Sequence, residues 1–168
     1  MSKRPFKPEH LPADFPYRVK IRQRWDTHDG GGFNGTLYLG KDKVATVEDS
    51  GTGGGAWPRF ANKVDEQIFA DAVKALPKVD LMGGGELYEV GQSFALSMMA
   101  EEAMEMKRFK RICGNQVLFQ LAGDAPGEWR GIKKKRKVGP DFMDREIIAH
   151  IRKKYGDKVD RILNEEIN

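Results

Sequence analysis

The sequence predicts an α+β fold: an N-terminal antiparallel three-strand meander, central helices, a second small hairpin and C-terminal helices. Three observations lead there. Residues 17–25 alternate apolar and basic with a period of two, the mark of a half-buried strand. Residues 61–76 and 86–111 repeat apolar side chains at helical spacing. Residues 116–121 form a short apolar run, followed by the turn pairs Gly123-Asp124 and Pro126-Gly127.

Taken in order, residues 1–16 carry Pro5, Pro8, Pro12 and Pro16, which favour an irregular arm because proline lacks an N–H and restricts the residue before it. In 17–25, Tyr17, Val19, Ile21 and Trp25 fall on one side. Arg18, Lys20, Arg22 and Arg24 fall on the other, with Gln23 out of place. Strands at 33–39 and 44–48 follow, joined by a turn at 40–43. Residues 49–58 read as a glycine-rich loop. The helix over 61–76 places Val64, Ile68, Ala72 and Leu76 on an apolar face with Phe69 and Val73 alongside, and Pro77 stops it. The helix over 86–111 turns Phe94, Met98 and Met99 to a core and carries acids early and bases late in its second half, which suits the helix dipole. Residues 128–132 pair back on 116–121. Pro140 opens a helix with Phe142, Ile147, Ile148 and Ile151 on its apolar side. Tyr155-Gly156 breaks it, and Val159, Ile162 and Leu163 mark a last short helix.

A chain of 168 residues is expected to hold one domain, here 17–168 after the arm, and to bury roughly 70% of its unfolded surface without a disulfide or metal. The single cysteine, Cys113, excludes an intramolecular disulfide and fits a reducing, cytoplasmic setting. No apolar run is long enough for a membrane span, and no apolar segment follows the basic N-terminus to make a secretory signal. The net charge of +4 is unevenly spread. Residues 1–25 carry +5, 26–106 carry −8, 107–137 carry +8 and 138–168 carry −1. Such alternation predicts a polarised surface.

Two basic segments are the candidate sites. Arg18, Lys20, Arg22 and Arg24 lie along one side of an extended stretch, about 6.6 to 7 Å from one to the next, suited to a chain of phosphates. Trp25, Phe33, Tyr38 and Trp57 are candidates for stacking on unpaired bases. The second segment is Lys133, Lys134, Lys135, Arg136 and Lys137. With Val138 these residues resemble the core of the monopartite nuclear-import signal of a viral large T antigen. That resemblance covers six residues and implies nothing about fold. A phosphate contact and a solvated loop are the competing readings.

No catalytic centre is recognisable. The loop at 49–58 lacks the G-x-x-x-x-G-K-[ST] pattern, although Gly51, Gly53 and Gly54 offer backbone N–H groups. Asp26, His28 and Asp29 are acceptable metal ligands without a second cluster, and read as a polar turn. Glu101, Glu102 and Glu105 read as helix-surface acids pairing with Lys107 or Arg108. Cys113 reads as structural, although Lys110 and Arg111 are close enough in sequence to lower a thiol pKa. The expected function is therefore a non-catalytic small basic protein that contacts DNA or RNA mainly through phosphates, with no cofactor or metal. The alternative is a phage-type accessory protein that binds and regulates or inhibits a host protein complex such as a nuclease. A third is an enzyme with an unrecognised site around Asp26, His28 and Asp29.

Overall fold

The alternating segment forms β1 (Tyr17–Thr27), the first strand of a four-stranded antiparallel sheet. The structure, a computed structural model, describes residues 11–12, 14–80, 84–125, 127–134 and 140–166, with side chains from Asp144 onward in the last segment. The fold is α+β, as the sequence predicts: this sheet, helices in the middle, a second small sheet and C-terminal helices. Contacts gather into two compact units that divide between Glu105 and Met106. Among the described residues, no helix is long and apolar enough to cross a membrane.

In the first unit, β1 pairs with β2 (Gly30–Leu39), β2 with β3 (Asp42–Asp49) and β3 with β4 (Ala56–Phe60). The fourth strand begins in the stretch that reads as loop, which covers its residues 56–58. Its Pro58 hides it, because proline is excluded from central strands, yet β4 is an edge strand where a missing N–H is tolerated. Tyr17, Val19, Phe33, Leu37, Ala45 and Val47 turn inward and are buried. They share one core with Phe69 and Val73 of α1 (Lys63–Lys74) and with Leu96, Met98 and Met99 of α2 (Gln92–Cys113). The Tyr17 and Phe69 rings meet edge-on at 4.9 Å.

Asn62 caps α1. Its side-chain oxygen accepts from the Asp65 N–H at 2.8 Å, while its amide donates to the Asp65 carboxylate. The helix buries Phe69 and Val73, and Leu76 and Ala72 of the expected face join the same core, so the expectation fails only at the first turns. Val64 and Ile68 stand outward, 67% and 48% exposed. Spacing alone allowed either side, since the two apolar rows are adjacent on the wheel.

The glycine-rich segment between β3 and β4 is anchored. The Gly51 N–H donates to Asp49 Oδ1 at 2.8 Å, and the Thr27 hydroxyl donates to Gly51 O. Gly51 has φ +74°, and a Cβ there would lie 2.6 Å from the Gly32 nitrogen. Only glycine permits both that conformation and that approach.

In the second unit, β5 (Gln116–Leu121) lies between β6 (Arg130–Lys133) and β7 (Val159–Ile162), all antiparallel. The sequence assigns 159–163 to a helix. Instead Val159–Ile162 completes the sheet, and only Leu163–Glu166 is helical, as α4. Helix α3 (Pro140–Tyr155) precedes a 3-10 turn over Gly156–Lys158. One side of β5 packs Leu118 with Phe109, Cys113 and Leu163. The other packs Val117 and Phe119 with Ile151 and Ile162. Burial on both sides explains why 116–121 shows little alternation. Asn164, 2% exposed, ties the unit together. Its oxygen accepts from the Leu118 N–H at 2.9 Å, and its amide donates to Cys113 O, Gln116 O and Asp144 Oδ2.

Candidate nucleic-acid interface

The strand register decides which side chains share a surface, because residues directly opposite across an antiparallel pair point to the same face. Arg18 lies opposite Tyr38, and Tyr38 opposite Lys43. Lys20, Thr36, Thr46 and Arg59 form the next row across the four strands. Gln23, Asn34, Glu48 and Trp57 form the third, and Trp25 over Gly32 the fourth. All of these turn away from the core containing Phe33, Leu37 and Val47. The outer face is thus basic at one end and aromatic at the other.

Among the described residues, Arg18, Lys20 and Lys43 take part in no ion pair, and all three are exposed. Arg18 lies over the Tyr38 ring at 5.3 Å. Arg59 reaches the face's one carboxylate, Glu48, at 3.6 Å, an exposed and therefore weak pair. Thr36 at the centre is fully buried, and its hydroxyl has no hydrogen-bond partner among the described residues.

A β-bulge between Ile21 and Gln23 breaks the expected row of four cations. Arg22 drops out of register, and the alternation inverts beyond it. Arg24 therefore falls opposite Phe33, on the inner side, where a Cβ on Gly31 would lie 3.6 Å from Arg24 Nη2. Trp25 crosses to the outer side. Its indole covers Gly32, where a Cβ would come within 2.1 Å of Nε1, and its N–H donates to Ser50 O at 3.2 Å. The expected partners Arg18 and Lys20 stay together. Lys43 and Arg59, absent from the sequence expectation, join them.

The chain matches no protein-family model, no curated protein and no solved structure.

The aromatic candidates sort by burial. Phe33 is 5% exposed in the core and is withdrawn as a stacking residue, because it alternates inward with Leu37. Tyr38 is half-buried beneath Arg18. Trp57 is 63% exposed, and its indole N–H donates to Gly54 O at 3.0 Å.

The second basic segment begins inside the fold. Lys133 ends β6 and is exposed. Lys134 is corrected: its N–H donates to Asn115 O at 2.9 Å, and its ammonium pairs with the Asp144 carboxylate with only 9% of the side chain exposed. A cation so held is not offered to a phosphate or an import receptor. Lys135, Arg136 and Lys137 lie outside the described residues.

The remaining candidates supply no centre. The Gly51 N–H is taken by Asp49, so an anion does not meet it. The N–H groups of Gly84 and Gly85 likewise donate to the Asp80 carboxylate, at 3.2 and 2.6 Å. His28 Nδ1 lies 3.3 Å from Asp29 Oδ1 in an exposed turn. Among the described residues, no group of three or more His, Cys, Asp or Glu could hold a metal ion. Burial pushes the Cys113 thiol up to about 11, outweighing the Lys134 charge nearby, so it is no ready nucleophile.

Proposed function

We propose that the outer face of the N-terminal sheet binds nucleic acid, with the phosphates held by Arg18, Lys20 and Lys43 and steadied by Arg59. The observation that carries this reading is a patch of exposed cations on one sheet face, three of them outside any ion pair among the described residues. Arg18, Lys20, Lys43 and Arg59 gather on a face whose one acid among the described residues is Glu48. Phosphate contact releases counterions, so affinity should fall linearly with the logarithm of salt, by roughly 0.7 per cation on single strands and 0.9 on duplex.

The test is titration of labelled DNA and RNA over a salt series. Changing Arg18, Lys20 and Lys43 together to Ser should lower the slope by about 2 on single strands and by nearly 3 on duplex. Arg24→Ser should leave it nearly unchanged, because that side chain belongs to the other face. Absence of binding at low salt in the parent chain would end the proposal.

A protein partner is the second reading, favoured by Val64 and Ile68 standing exposed one turn apart on α1. A stoichiometric partner that survives nuclease treatment and is lost in Val64→Ser/Ile68→Ser supports it. Capture unaffected by that variant would exclude this surface.

A further inference from the structure

We infer that the nucleic acid taken by this face is single-stranded, with an unpaired base stacked on Trp57. The inference rests on the reading of the outer face as a nucleic-acid surface and adds the strand state and the base contact.

Trp57 leaves 63% of its area in solvent although its one polar group already donates to Gly54 O. What remains uncovered is therefore aromatic carbon. A large aromatic face with its polar edge already bonded is the kind of surface that interfaces use. The anchor also fixes the ring. The N–H bond ties one edge to the 50–55 loop, while opposite Trp57 in the register stands Glu48, not a side chain that would cover the ring. A base arriving there meets a prepositioned plane and loses little conformational freedom on the protein side.

Strand state follows from what each nucleic acid can present. A duplex buries its base faces in its own stack and shows only edges in the grooves, so it has nothing for an indole to stack on. An unpaired base has a free π-face, and aromatic stacking is sequence-tolerant for that reason. Arg59 stands two residues from Trp57 on β4, with Lys20 in the same row as Arg59 across the sheet, so phosphate contacts lie one row from the stacking plane. In the same row as Trp57, beyond Glu48, stand Asn34 and Gln23, whose side-chain amides are joined by a hydrogen bond of 3.4 Å from Asn34 Nδ2 to Gln23 Oε1.

The experiment compares three ligands on the full chain: a single-stranded oligothymidine of about 12 nucleotides, a duplex of equal length and inorganic polyphosphate. Trp57→Ala, Trp57→Phe and the triple Arg18/Lys20/Lys43→Ser variant are titrated with each, and circular dichroism checks that each folds. The single strand should bind at least about tenfold tighter than the duplex. Trp57→Ala should weaken the single strand from about fivefold to about a hundredfold, with polyphosphate binding and the salt slope unchanged. Trp57→Phe should retain most of the affinity. Equal affinity for duplex, or a Trp57→Ala chain that binds oligothymidine as well as the parent, overturns the inference. If the triple variant still loses affinity in that case, the phosphate reading stands. Failure of all three ligands to bind the parent chain overturns both.

Discussion

Removing the Asp144 carboxylate should destabilise the second unit more than any surface change there. Asp144 pairs with Lys134 and accepts from Asn164 Nδ2 at 3.3 Å, and the two charged side chains are only 12% and 9% exposed. Asp144→Ala leaves an ammonium buried without its counter-charge and takes one of three acceptors from the Asn164 amide. Breaking a buried pair from one side costs about 3–5 kcal/mol. Cys113 is the chain's single cysteine, is 6% exposed and lies in this unit, so its thiol reports opening. With its pKa pushed up to about 11 by burial, it is protonated and covered in the native state near neutral pH, and labelling requires opening. At about 1.4 kcal/mol per decade, Asp144→Ala should accelerate labelling from about a hundredfold to a few thousandfold. Two controls isolate the cause. Lys134→Met with Asp144→Leu removes both charges and should return the rate near the parent value, because a neutral replacement of a buried pair is often harmless. Arg152→Ser breaks an exposed pair with Glu165 and should change the rate by less than about fivefold. A rise under about tenfold for Asp144→Ala, or a double variant as labile as the single one, would refute the reasoning.

Gly51→Ala should cost more stability than Gly53→Ala. Both have φ near +80°, worth roughly 1–2 kcal/mol for a residue with a Cβ, but only Gly51 also faces the Gly32 backbone at 2.6 Å, whereas Gly53 faces open space. Equal thermal midpoints for the two variants would refute the packing argument. The Arg130 guanidinium, donating twice to Asp124, holds that carboxyl down to about 2 against an ordinary 3.8. A lowered pKa stabilises above the ordinary value and ceases to do so as pH falls through about 2. Asp124→Asn should therefore weaken the chain at neutral pH and flatten the acid limb of its denaturation midpoint between pH 3.8 and about 2. Thr36→Val should raise stability by about 1 kcal/mol in chemical denaturation, since it replaces a buried hydroxyl without a partner among the described residues by a methyl. A loss of stability would mean that the hydroxyl has a partner.

Local chemistry was enough to read much of the fold. The alternation in 17–25 specifies a strand because only a period of two puts Tyr17 and Val19 inside and Arg18 and Lys20 outside. Pro77 and Tyr155-Gly156 mark where α1 and α3 are finished. Elements defined by their partners were not legible. β4 carries a proline and begins in a glycine run, and it is a strand because β3 has an edge for it. β7 is four residues long and gains its hydrogen bonds from β5. The candidate site divides along the same line. The identity of the cations is local, but which of them share a face depends on a bulge at Arg22 that moves Arg24 inward and Trp25 outward. Lys43 and Arg59 enter because cross-strand register places them beside Tyr38 and Thr46. Lys134 leaves because a carboxylate ten residues later in the chain folds against it. Side-chain type and spacing set what each segment prefers by itself. Pairing partners, register and burial arise between segments distant in sequence, so they exist only once the chain has folded.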